Sequence, residues 1–159
     1  MHITIEEKKA FISRHFIKSL AALPPDAKGK WGKMNLQQMV EHVTDFFNVS
    51  NGKIQLPLVT PEEHLPKLKA FLLSDKEFRE NTKAPAEILG EDPAPVRNET
   101  MELAVIKLEK SIVHFFDHFH NNPSVTTLHP VFGPLHFEEW ILLHYKHVLH
   151  HAKQFGLAT

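Results

Sequence analysis

The chain has 159 residues, of which 42% are hydrophobic and 23% charged, and 18 Lys+Arg against 19 Asp+Glu leave a formal charge of −1 with histidine neutral. That length and apolar content fit a single domain spanning residues 1–159, able to bury a core without staples, and the charge balance argues against a nucleic-acid binder, which needs a basic surplus. There is no cysteine, so disulfide scaffolds, thiolate nucleophiles and sulfur-ligated metals are excluded, and any metal must sit on nitrogen and oxygen.

The first predicted helix runs from Ile5 to about Leu23, with Phe11, Ile12, Phe16, Ile17 and Leu20 on one stripe and Pro24-Pro25 as its stop. After a polar turn, Asn35 caps a second helix to about Val49, ended by Asn51-Gly52. Its apolar face is Met39, Val43, Phe46, Phe47 and Val49, with His42 inside the stripe. Residues 51–98 hold 6 of the 11 prolines and read as a long crossover. Within it, Thr60 as N-cap, Pro61 and Glu63 introduce a short helix over Leu65 to Leu73, in which Pro66 is placed to shorten or kink the first turns.

The third long helix spans about Glu99 to His120, with Leu103, Ile106, Ile112, Val113, Phe116 and Phe119 facing inward and Asn121-Asn122-Pro123 closing it. The fourth runs from about Phe137 to Gln154, with Gly156 placed for the left-handed residue beyond its end. No convincing alternating strands appear. The expected fold is therefore all-α, a four-helix bundle with one long connection.

Thirteen residues are histidine, and nine of them fall between His114 and His151. Protonating all thirteen would take the charge from −1 to +12, so stability should respond to pH near histidine's reference value of about 6.5. At about 100° per residue, His144, His147 and His151 share an arc of about 60° with Trp140, and His150 sits at its edge. His147 and His151, at i and i+4, can place two ring nitrogens on one ion. An i,i+4 pair also arises by chance on exposed helices. His42 strengthens the reading: an unpaired imidazole in the Met39/Phe46 stripe would cost roughly 1–3 kcal/mol, and a metal would satisfy it. Three neutral imidazoles from two helices would leave coordination positions open for water or substrate. A carboxylate-rich di-iron site does not fit, because Met39, His144 and Val148 stand where its Glu-x-x-His repeats need glutamate.

Trp31-Gly32-Lys33-Met34-Asn35 with Gln38-Met39-x-x-His42, then His129-Pro130-x-Phe132-Gly133-x-Leu135, Trp140, and His144-x-x-His147-x-x-His150-His151-x-x-Gln154-Phe155-Gly156 resemble the DinB/YfiT-like superfamily. Within it the chain is most similar to a branch of small proteins ending in an H-x-x-H-x-x-H-H-x-x-Q-F-G pattern. The resemblance covers nearly the whole chain. It implies an up-down-down-up four-helix bundle, commonly a homodimer, holding a divalent metal, often nickel or zinc, on three histidines. Carried onto this sequence, those ligands are His42, His147 and His151. His136 stands where this branch usually has a Ser/Thr-type helix cap, which should weaken the cap. Beside the ligands, His144 is a candidate donor or general base, or else packs beside Trp140. Asp45, one turn after His42, is a candidate to orient that imidazole, or else is solvated. His129 either lines the pocket mouth or stabilises its turn.

Two functional classes follow. One is a metal-dependent enzyme of hydrolase or thiol-dependent transferase type, acting on a small molecule; with no cysteine, any thiol must be an external low-molecular-weight one. The other is a non-catalytic metal-binding or stress-related helical module. A pH-sensing regulator is a third class, which metal ligation would oppose. The amino terminus lacks the features of a secretory signal and no stretch approaches the roughly 20 apolar residues of a membrane helix, so the cytoplasm is the expected compartment and a membrane partner is not expected.

Overall fold

A computed structural model describes residues 2–82, 84–90, 92–157 and 159. The chain is mostly helical with a small two-stranded sheet. Among the described residues no helix is long and apolar enough to cross a membrane.

Thr4 opens the first helix through a capping box: its hydroxyl accepts from Glu7 N–H while the Glu7 carboxylate accepts from Thr4 N–H. The helix is not uniform. It runs as α1 (Ile5–Ala10), a π-helical turn (Phe11–His15) and α2 (Phe16–Leu20), and residues 21–23 leave it in i→i+3 turns. Phe11, Ile12, Phe16 and Leu20 are all buried, and Phe11 meets the Tyr145 ring edge-on at 5.4 Å.

Asn35 caps α3 (Leu36–Ser50) as the sequence suggests, in a reciprocal bond with Gln38. Met39, Val40, Val43 and Phe47 are fully buried on this helix, which packs against both long carboxy-terminal helices. Each such side chain withdrawn from water contributes roughly 1.5–3 kcal/mol before ordering costs. At the crossover, the expected Thr60 cap gives way to a 3₁₀ turn over Glu62–His64, because the Thr60 hydroxyl donates instead to Val131 C=O, 2.7 Å away. Pro66 lies in the first turn of α4 (Leu65–Leu73), where its missing N–H has no helical partner to lose. A four-residue turn, α5 (Ala86–Leu89), follows.

α6 (Met101–Asn121) starts at the Thr100 cap, and of the expected face it buries Ile112 and Phe119, with Phe116 packed at the edge of the core. Ala104, Leu108, Ser111, Ile112, Phe115 and Phe119 point inward, while Leu103, Ile106 and Val113 are exposed. Phe115 decides the rotation, packing on Phe47, Phe137 and His144 at 5.8, 5.6 and 4.9 Å between ring centres. The helix carries apolar residues around most of its circumference, so periodicity alone selects the wrong edge of the stripe.

The helical expectation omitted one small two-stranded sheet. β1 (Thr127–His129) and β2 (Gly133–Leu135) pair antiparallel, with His129 opposite Gly133. His129 Nδ1 accepts from the N–H groups of Val131 and Phe132 at 2.9 and 3.2 Å and so closes the turn. α7 (Phe137–Gln154) begins with His136, whose Nδ1 accepts from Glu139 N–H at 3.4 Å, a long bond for a cap. It ends in a Schellman motif, with Leu157 N–H on Ala152 C=O, Gly156 N–H on Lys153 C=O and Gly156 at φ +69°. α7 packs against α1, α3 and α4 and carries the fully buried Trp140 and Ile141 into the same core as α3.

Candidate metal centre

His42 on α3 and His147 and His151 on α7 each turn Nε2 toward a common point. His147 Nε2 lies 2.9 Å from His42 Nε2 and 3.1 Å from His151 Nε2, and one ligand atom from each residue lies within 4.8 Å of the others. The ring centres are 4.7–5.0 Å apart with the planes crossed at 71–80°, so the rings meet edge to face and not as a stack. Their placement follows from local structure: one turn of α7 separates His147 from His151, and α3 packs its Met39–Phe46 face against α7.

Hydrogen bonding alone does not satisfy this arrangement. A ring nitrogen has one in-plane site, which holds either a proton or a lone pair. His147 Nε2 faces two other Nε2 atoms, and a single proton cannot make linear bonds to both. Protonating the rings is no remedy, because burial holds all three neutral. Desolvation, with the neighbouring His150, lowers His42 to about 4; burial pushes His147 and His151 well below the usual histidine value, helped by His151 and His42 for the first and by His42 and His150 for the second. Three neutral imidazoles with converging lone pairs are the donor set that a borderline divalent cation takes on nitrogen.

The surroundings are aromatic. Phe46 packs on His42 and His147 at 5.2 and 5.4 Å, and His150 sits between Trp31 and Phe78 at 5.5 and 6.0 Å. His151 Nδ1 is 2.7 Å from Gln154 Oε1.

The two assisting residues proposed from the sequence are placed elsewhere. His144 lies 3.9 Å from the Phe47 ring and nearly parallel to it, with Trp140 stacked at 5.2 Å. Its Nε2 is 2.8 Å from Ser50 Oγ. Since that hydroxyl donates to Phe47 C=O, His144 must be the donor, and burial keeps it neutral well below the ordinary value. A ring so enclosed and so bonded packs in the core beside Trp140, the second of the two readings the sequence offered. Asp45 accepts from Arg97 Nη2 at 2.9 Å, and among the described residues no hydrogen bond joins it to His42. His129 tightens its hairpin turn, with its ring stacked against Phe46 at 5.6 Å.

Sequence reading missed Glu41. Its buried carboxylate accepts from the N–H groups of Arg97 and Asn98 at 2.9 and 3.0 Å, from Asn98 Nδ2 at 2.9 Å and from Gln37 Nε2 at 3.2 Å. Although burial opposes ionisation, these donors lower its pKa to about 2. Glu41 thereby pins the end of the crossover to α3 beside His42. Gln37 lies on the same helix, but the donors that decide the role, Arg97 and Asn98, lie more than 50 residues away.

No family model, curated protein or solved structure matches the chain.

Proposed function

We propose that the chain is a DinB/YfiT-like four-helix bundle that binds one divalent ion, nickel or zinc, through His42, His147 and His151 and uses it in catalysis on a small molecule. The observation that carries this reading is the convergence of three neutral Nε2 atoms that hydrogen bonds among themselves cannot satisfy. An ion held there would act as a Lewis acid and lower the pKa of a water or an external thiol that reaches it, the chemistry of a hydrolase or of a thiol-dependent transferase. The chain's own part is to present three uncharged ligands, which leave the ion's full charge available to an anionic nucleophile. Phe46, packed on His42 and His147, lowers the local dielectric and so strengthens that attraction. A homodimeric state belongs to the same reading on the strength of the sequence resemblance, and a cytoplasmic location on the features of the sequence itself.

One feature favours a second, non-catalytic reading: the ligands lie 105 residues apart on two packed helices, so an ion would also staple α3 to α7. The experiment is to load the tag-free protein with zinc or nickel and assay aryl-ester hydrolysis and conjugation of a low-molecular-weight thiol to an electrophile. Thermal unfolding is recorded with and without metal. Turnover lost in His147→Ala while the fold persists supports the enzyme. Absence of turnover in both assays, with melting on metal removal, supports the staple.

A further inference from the structure

The strongest unassigned feature is the way residues 29–32 close around Gln154, the last residue of α7. Lys30 N–H donates to Gln154 C=O at 2.7 Å, and Gln154 Nε2 donates to Trp31 C=O at 2.9 Å. A Cβ on Gly29 would stand 3.2 Å from Gln154 Cγ, and one on Gly32, which has φ +78°, would stand 3.0 Å from Gln154 Nε2. The two glycines are therefore where the loop backbone must come closest to this side chain. Trp31 C=O can only accept, so the amide NH2 must face it and Oε1 must face His151. Oε1 in turn can only accept, so the proton of His151 sits on Nδ1, 2.7 Å away, and Nε2 is left as a bare lone pair aimed at His147 and His42.

We propose that Gln154, clamped by the Gly29–Gly32 loop, is the positioning residue that fixes His151 as its Nδ1–H tautomer and so makes Nε2 the ligating atom. The metal half of this proposal rests on the functional reading above; the tautomer does not. Outer partners of metal-bound histidines are most often carboxylates or backbone carbonyls. A side-chain amide does the same orienting work while adding no charge, which keeps the site as a neutral triad. The relay also gives a chemical role to Trp31-Gly32 and Gln154, which the ligands leave unexplained.

The test uses the full-length chain, first free of metal and then titrated with zinc against a competing chelator. Long-range proton–nitrogen correlation spectra of the metal-free protein report the tautomer of His151, assigned by the signal lost in His151→Ala. The wild type is expected to show Nδ1–H. Gln154→Leu, close in size but unable to accept, should admit the Nε2–H form and bind zinc 10–100-fold more weakly. Gln154→Glu, whose carboxylate again accepts from Nδ1–H, should restore that tautomer and bring zinc affinity within tenfold of the wild type. An Nε2–H tautomer in the wild type, or Gln154→Leu with unchanged tautomer and affinity, overturns the proposal. If Gln154→Leu does not fold, the wild-type tautomer and Gln154→Glu decide it. An Nδ1–H wild type that binds no zinc sinks the metal reading and leaves the relay standing.

Discussion

Replacing Glu41 with glutamine should be among the most damaging single-atom changes in the molecule. The carboxylate is lowered from 4.5 to about 2 by donors from Asn98, Arg97 and Gln37, against the opposing effect of burial. At 1.36 kcal/mol per unit, that difference is worth about 3 kcal/mol at pH 7. The glutamine amide turns an NH2 group toward Asn98 or Arg97 donors, so Glu41→Gln should lose most of this and lower Tm by roughly 6–12 °C for a chain of this size. The pH dependence has a fixed sign. A carboxylate whose folded pKa is depressed contributes fully above its unfolded value and loses that contribution as pH falls toward the folded one. The window here is therefore between about 4.5 and about 2. By pH 4 the gap between wild type and Glu41→Gln should have narrowed by about 1 kcal/mol, since costs shared by both proteins, including histidine protonation, cancel in the difference. Urea denaturation at the two pH values measures the gap, and the carboxyl carbon signal of Glu41 measures the pKa directly. A gap under 0.5 kcal/mol at pH 7, or a Glu41 that titrates near its ordinary value, would refute the reasoning.

Two other expectations concern histidines outside the cluster. Burial lowers His129 to about 3, and its Nδ1 accepts two backbone N–H bonds, so the neutral form is required. His129→Ala should cost about 1–3 kcal/mol at pH 7, with partial rescue by His129→Asn, whose Oδ1 can replace Nδ1. Since its folded pKa lies below the unfolded value, the stability linked to His129 is complete above about pH 6.5 and should fall by about 2 kcal/mol at pH 5, as urea titration of wild type against His129→Asn would reveal. Ser50→Ala removes the acceptor for His144 Nε2–H in the core and should cost about 1–3 kcal/mol. Zinc stoichiometry should be unaffected by that change; loss of zinc in Ser50→Ala would return His144 to the site.

The clustering of His42, His147 and His151 was legible because its signals are local. An i,i+4 spacing places His147 and His151 on one side of α7 whatever that helix packs against, and an imidazole within the Met39–Phe46 stripe of α3 has to meet something polar. Capping at Asn35 and the Gly156 terminus were readable for the same reason. What stayed hidden depends on partners distant in sequence. The rotation of α6 is set by the contacts of Phe115 with Phe47 and Phe137, and apolar residues at Leu103, Ile106 and Val113 disguise it. The hairpin of β1 and β2 is too short to show alternation, although the turn-stabilising role of the histidine that closes it was one of its two readings. His144 shares an arc with the ligands, yet Ser50 and the Phe47 ring claim it for the core. Gln154 had a visible signal, three residues after His151 on the same helix, but its meaning depends on the carbonyl of Trp31.

The most direct test of the metal centre is elemental analysis of tag-free, full-length protein after loading with zinc or nickel and exhaustive dialysis. Wild type, His42→Ala, His147→Ala and His151→Ala should be compared, each verified as folded by circular dichroism. The proposed centre predicts about one ion per chain in the wild type, one site being formed by three histidines, and its loss in each variant. A wild type that retains no metal, or variants that keep full occupancy, would contradict it.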